Sequence, residues 1–171
     1  LHSFPTRRSS DLVDIKFHAY MIDPQTKKDG EDYLAYNKRR WGSDGWTAQL
    51  RNMGRKYGAN FGNWKIWPNT LLGHKLIAEA KKIGKGNEVL EEIFEYCYEL
   101  GKNVSLESTL NEIANKYGIK NWNNEENLKS VMIDEKIGEK NYGIGGVPFF
   151  IFPNDEVVEG AASPETFLKA L

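Results

Sequence analysis

The chain has 171 residues, 23 basic against 24 acidic side chains, a formal net charge of -1, 40% hydrophobic and 12% aromatic residues; this is the profile of one folded domain, or of a domain with an insertion, and excludes a disordered chain. The near-neutral balance supplies no basic field for a nucleic-acid backbone or an anionic membrane surface, and no apolar run reaches the roughly 20 residues that span a bilayer, so neither nucleic acid nor membrane is expected as a partner. A single cysteine, Cys97, excludes an internal disulfide, a cysteine-rich zinc site and a C-x-x-C pair among these residues.

Residues 1–12 (LHSFPTRRSSDL) show no period of two or of 3.6 and stop where an alternating segment begins. They lack the basic stretch and the apolar run of about 7–15 residues of a secretory signal. The string resembles the translation of a common short-read sequencing adapter and reads as a non-native peptide in place of the original N-terminus. From Val13, apolar Ile15 and Phe17 alternate with polar neighbours, and Tyr20 and Ile22 follow before Asp23-Pro24, which predicts a strand over 13–22 ending in a turn. A helix is predicted from Glu31 to Trp41 with Gly42 as its stop, and a second from Gly45 to Tyr57, capped by Ser43-Asp44, with Trp46, Leu50, Met53 and Tyr57 on one face.

Pro68-Asn69-Thr70 opens a third helix, ending near Gly84; Val89 to Leu100 forms a broad apolar stripe closed by Gly101; Ser105 heads a helix ending at Gly118. The whole stretch from about 43 to 142 reads as helical. After Gly143-Ile144-Gly145-Gly146 the pattern changes to a β-hairpin: Val147 to Phe152, a Pro153-Asn154-Asp155 turn, then Glu156 to Gly160. Ser163 caps a last helix with Pro164 at its first position. Strand, helical block, hairpin and helix make an α/β order in which residues 13–42 and 143–171 form a sheet domain and residues 43–142 an inserted all-helical domain.

Four segments carry a resemblance, in order: KFHAYMIDP (Lys16 to Pro24), the helix from Gly30 to Gly42, PNTLLGHKL (Pro68 to Leu76), and GIGGVPFFIF followed by a turn and VVEGA. Together they resemble the DsbA-like family of thioredoxin-fold proteins, and within it the FrnE-like thiol-disulfide oxidoreductases. The resemblance implies a thioredoxin-like, DsbA-type α/β fold with an inserted helical domain. Such proteins carry a C-x-x-C pair at the start of their first helix, where the helix dipole lowers the pKa of the attacking thiol. That strand and helix would precede Val13 and are absent here, which truncation explains; the chain alone is then expected to be inactive in disulfide exchange.

The resemblance also implies a cis Val147–Pro148 bond that leaves the Val147 N–H and C=O free to pair with an extended substrate. The implied substrate-binding residues are Gly146, Val147 and Pro148, with Asn69, Thr70 and His74 facing the same cleft; the substrate is a disulfide-bearing or thiol peptide, or glutathione, which would serve as substrate or reductant with no bound cofactor. It further implies a cytoplasmic location.

Each of these residues also has a plain structural reading. Asn69 and Thr70 suit a helix N-cap, and His74 suits a packed interface histidine. Cys97, among Ile93, Phe94 and Tyr98 with no basic partner at helical spacing, suits a buried small hydrophobe. Gly143-x-Gly145-Gly146 lacks the Lys-Ser/Thr of a phosphate loop. Lys38, Arg39 and Arg40 read as a solvated face balanced by Glu31 and Asp32. Glu91, Glu92 and Glu95 read as a helix exterior, and His18 and His2 have weaker claims. Two other functions fit the same residues: a glutathione-dependent isomerase or kappa-type glutathione transferase of the same superfamily, and a non-catalytic peptide-binding module. The residues before Val13 would separate the thiol-disulfide oxidoreductase from the glutathione-dependent reading.

Overall fold

Asp32 ends a two-residue strand, β1 (Glu31–Asp32), and starts a helix, α1 (Tyr33–Trp41), its Oδ1 accepting the Ala35 N–H at 2.8 Å. Gly42 closes α1 at φ 80°, and Lys38, Arg39 and Arg40 in the last turn complement the helix dipole. The computed structural model describes residues 14–171; the readings of residues 1–12, Val13 and His2 lie outside them. The remaining elements are α2 (Trp46–Arg55), β2 (Ile66–Trp67), α3 (Leu71–Lys82), α4 (Gly86–Phe94) running into a π-helical segment (Glu95–Glu99), α5 (Glu107–Lys116), α6 (Glu125–Tyr142), β3 (Phe149–Ile151), β4 (Val157–Glu159) and α7 (Pro164–Ala170).

The core of the helical unit is aromatic on one side and aliphatic on the other. Tyr36 stacks on Trp67 at 4.1 Å and Tyr33 tilts against Trp64 at 4.7 Å, while Trp46 meets both tryptophans edge-on and donates from Nε1 to the Asn37 amide oxygen. Leu76, Ile77 and Ala80 of α3 pack with Val89 and Ile93 of α4 and with Leu110 and Ile113 of α5 in the same buried cluster. Tyr33 and Tyr36 belong to that cluster, so α1 packs into the helical unit, and residue 43 does not coincide with a break in packing. Gly30 is required where β1 meets β2: its φ is +77°, and a Cβ there would stand 2.9 Å from both Ile66 Cγ2 and Ser105 Oγ.

Several expectations are corrected. Residues 14–22 form no strand, because side chains of α3 and α6 take the backbone groups that a ladder would pair. Ala19 N–H donates to Asp134 Oδ2 at 2.9 Å, Met21 N–H to Glu135 Oε1 at 3.1 Å, and the Phe17 carbonyl accepts from Lys81 Nζ. The alternation is real, but Ile15, Phe17 and Ile22 stay exposed for want of a neighbouring strand among the described residues. The stretch 43–142 is not wholly helical: β2 pairs antiparallel with β1, Glu31 opposite Trp67. Ser105 does not cap α5; it is buried and its Oγ accepts the Asn69 N–H at 2.9 Å. Glu92 is no exterior residue. Only 7% exposed, it accepts from Lys116 Nζ and from the Tyr117 hydroxyl, which together supply the charge and hydrogen bonds that a buried carboxylate needs.

The hairpin forms as predicted. Phe149 lies opposite Glu159, Phe150 opposite Val158 and Ile151 opposite Val157, and the Asn154 side chain accepts the Glu156 N–H in the turn. Phe150 packs edge-on against Phe167 of α7, and α7 starts as expected, with the Ser163 side chain accepting the Thr166 N–H ahead of Pro164.

Candidate functional site

The turn from α6 into β3 brings three of the expected site residues together. Gly143 ends α6 at φ 60°, and Gly145, Gly146 and Val147 then lead into the hairpin. The Val147–Pro148 peptide bond is cis. Gly145, Gly146, Val147, Pro148, Phe149, Glu159 and Gly160 line an open cleft of about 320 Å³. A Cβ built on Gly145, Gly146 or Gly160 would meet nothing within 4 Å, so the glycines leave room for another backbone to approach.

Hydrogen-bond direction along β3 decides what this cleft offers. Gly160 N–H donates to the Pro148 carbonyl at 2.8 Å and Phe152 N–H to the Glu156 carbonyl at 2.9 Å, so residues 148, 150 and 152 turn their backbone groups toward β4. Phe149 and Ile151 therefore turn theirs the other way, where no strand lies among the described residues. Gly145, Gly146 and Val147 have no backbone hydrogen-bond partner among the described residues. Such an edge is a template for an added extended segment.

Asn69, Thr70 and His74 do not line this cleft; they sit at the start of α3. The Asn69 amide donates to the Thr26 carbonyl at 2.8 Å and its Oδ1 accepts the Leu71 N–H at 3.2 Å, a turn-and-cap role. Thr70 occupies the N-cap position without a side-chain cap bond. His74 Nε2 meets the Tyr20 carbonyl at 3.2 Å and so ties the 14–22 segment to α3. Burial lowers the His74 pKa, with the Tyr20 hydrogen bond opposing the shift, Lys81 adding to it and Asp134 opposing it. His18 Nδ1 lies 3.0 Å from Asp134 Oδ1 at the surface.

A pH dependence follows from His74. Its folded pKa is below the unfolded value of about 6.5, so the unfolded chain binds more protons and folding stability rises with pH through that window. The contribution is whole above the unfolded value and is lost as pH falls through the folded one. Urea unfolding at pH 5 and pH 7.5 is expected to show a smaller pH difference in His74→Gln than in the parent; equal differences would remove His74 from the account.

Cys97 is 4% exposed in the π-helical segment, and burial pushes its thiol up to about 12. The described residues hold no group of three or more His, Cys, Asp or Glu side chains able to bind a metal, and no helix among them is long and apolar enough to cross a membrane. A second cavity, about 410 Å³, opens by α1 and α2 beside Tyr33, Arg51 and Trp64, and has no thiol or imidazole in its lining. Sequence reasoning passed over Glu159, Phe149 and Gly160. The signal available for them was the hairpin register, which the Pro153-Asn154-Asp155 turn sets and which carries Glu159 opposite Phe149.

No curated protein matches the chain in a sequence comparison. A family model described as the DSBA-like thioredoxin domain matches residues 3–171. With helices and small sheets in an α/β order, an open strand edge beside Val147–Pro148 and that match over nearly all of its length, the chain belongs to the DSBA-like thioredoxin domain family, within the thiol-disulfide oxidoreductase superfamily.

Proposed function

We propose that the chain is the substrate-holding body of a FrnE-like thiol-disulfide oxidoreductase, in which Gly145 to Val147 pair with an extended, disulfide-bearing segment. The observation that carries this reading is the run of backbone N–H and C=O groups from Gly145 to Val147 without partners among the described residues, beside a cleft that three glycines keep open. Exchange proceeds by attack of a thiolate on a disulfide sulfur through a mixed disulfide. These 171 residues hold only Cys97, so the attacking and resolving thiols are not among them, and the chain by itself binds without turnover. Val147, Pro148 and Gly146 orient the substrate; Asn69 and His74 act through the packing of α3.

Backbone pairing is directly testable. An unstructured peptide titrated into the isotope-labelled chain is expected to shift the Gly145, Gly146 and Val147 amides and to leave Asn69 and His74 in place. The same peptide N-methylated at alternate residues loses two backbone hydrogen bonds at roughly 1 kcal/mol each and is expected to bind about thirtyfold more weakly. Equal affinity for the two peptides, or shifts confined to α3, would refute the pairing.

A further inference from the structure

The cleft at Gly145–Val147 is lined by a single charged side chain. Glu159 ends β4 opposite Phe149 and is exposed; it has no ion pair among the described residues, and no Lys, Arg or His shares the lining. Val147, 44% exposed, adds an apolar surface to the same cleft. A carboxylate beside an apolar surface suits a side chain with a hydrocarbon stem and a cationic head, and repels a second carboxylate.

We propose that Glu159 is a specificity-determining residue that makes this cleft prefer polypeptide substrates with a Lys or Arg next to the residue pairing with Val147, and disfavour glutathione disulfide, whose carboxylates outnumber its ammonium groups. The inference rests on the reading that the Val147 edge holds the substrate. Backbone pairing supplies affinity regardless of sequence, and Glu159 supplies the difference between substrates.

Three otherwise identical unstructured peptides with Lys, Gln or Glu at one central position, titrated into the full chain and followed at the Gly145 and Gly146 amides, test it. At low salt the Lys peptide is expected to bind about two- to five-fold more tightly than the Gln peptide, the range of an exposed charge pair, and the Glu peptide most weakly. Raising the ionic strength should level the series in the unaltered chain, and Glu159→Gln should level it at low salt. Equal affinities at low salt, or an order that survives Glu159→Gln, would overturn the role of Glu159 while leaving the edge intact as a peptide site. Absence of amide shifts with all three peptides would overturn the edge reading, and this inference with it.

Discussion

Under native conditions an aromatic disulfide reagent is expected to label Cys97 at least a hundredfold more slowly than it labels the same chain in denaturant. Only the thiolate attacks a disulfide. Burial raises the Cys97 pKa from 9.0 to about 12, which leaves on the order of a thousandfold fewer thiolates than an unperturbed thiol near neutral pH. Cys97 as a whole is also only 4% exposed, inside the cluster with Ile93 and Val104, so the reagent reaches it only through local opening. Reduction of insulin by the isolated chain should accordingly stay at the uncatalysed rate. Native labelling within tenfold of the denatured rate, or insulin turnover that Cys97→Ser abolishes, would contradict a purely structural cysteine.

Replacing Leu76 by Ala is expected to cost about 2–5 kcal/mol of folding stability, a large share of a typical margin of about 5–15 kcal/mol. Leu76 is 0% exposed on α3, which packs against α4, α5 and α6, so the lost atoms leave a cavity that no single neighbour can close. Urea unfolding should show a lower midpoint with an unchanged slope. Leu168, 72% exposed on α7, is the control: Leu168→Ala should fall within about 0.5 kcal/mol of the parent. A Leu76→Ala midpoint indistinguishable from that of Leu168→Ala would show that α3 is not the centre of the core.

Helices and the hairpin were legible in the sequence because their signals are local. Apolar residues at three- and four-residue spacing, Gly42 in the left-handed region, and Ser163-Pro164 ahead of a short helix act within one or two turns of chain. The same holds for the hairpin, whose register a three-residue turn sets, and for Cys97, whose apolar helical neighbours already indicated burial. The resemblance to DsbA-like proteins was likewise legible in four short segments, and the family match over residues 3–171 bears it out.

What depends on distant partners was decided by tertiary structure alone. An alternating segment becomes a strand only if another strand meets its backbone; residues 14–22 meet Asp134, Glu135 and Lys81 side chains instead, more than sixty positions away. β1 and β2 form because α1 and the Trp64–Trp67 segment stack their aromatic rings, a contact that neither segment's own periodicity encodes. Glu92 is buried because Lys116 and Tyr117 come to it from another helix, and Ser105 is turned from cap to acceptor by Asn69. The sequence by itself determined the local elements and the family; the partners of each backbone and polar group, and hence which residues share the cleft at Val147, were set by three-dimensional packing, since hydrogen bonding and burial are properties of neighbours in space and not of neighbours in the chain.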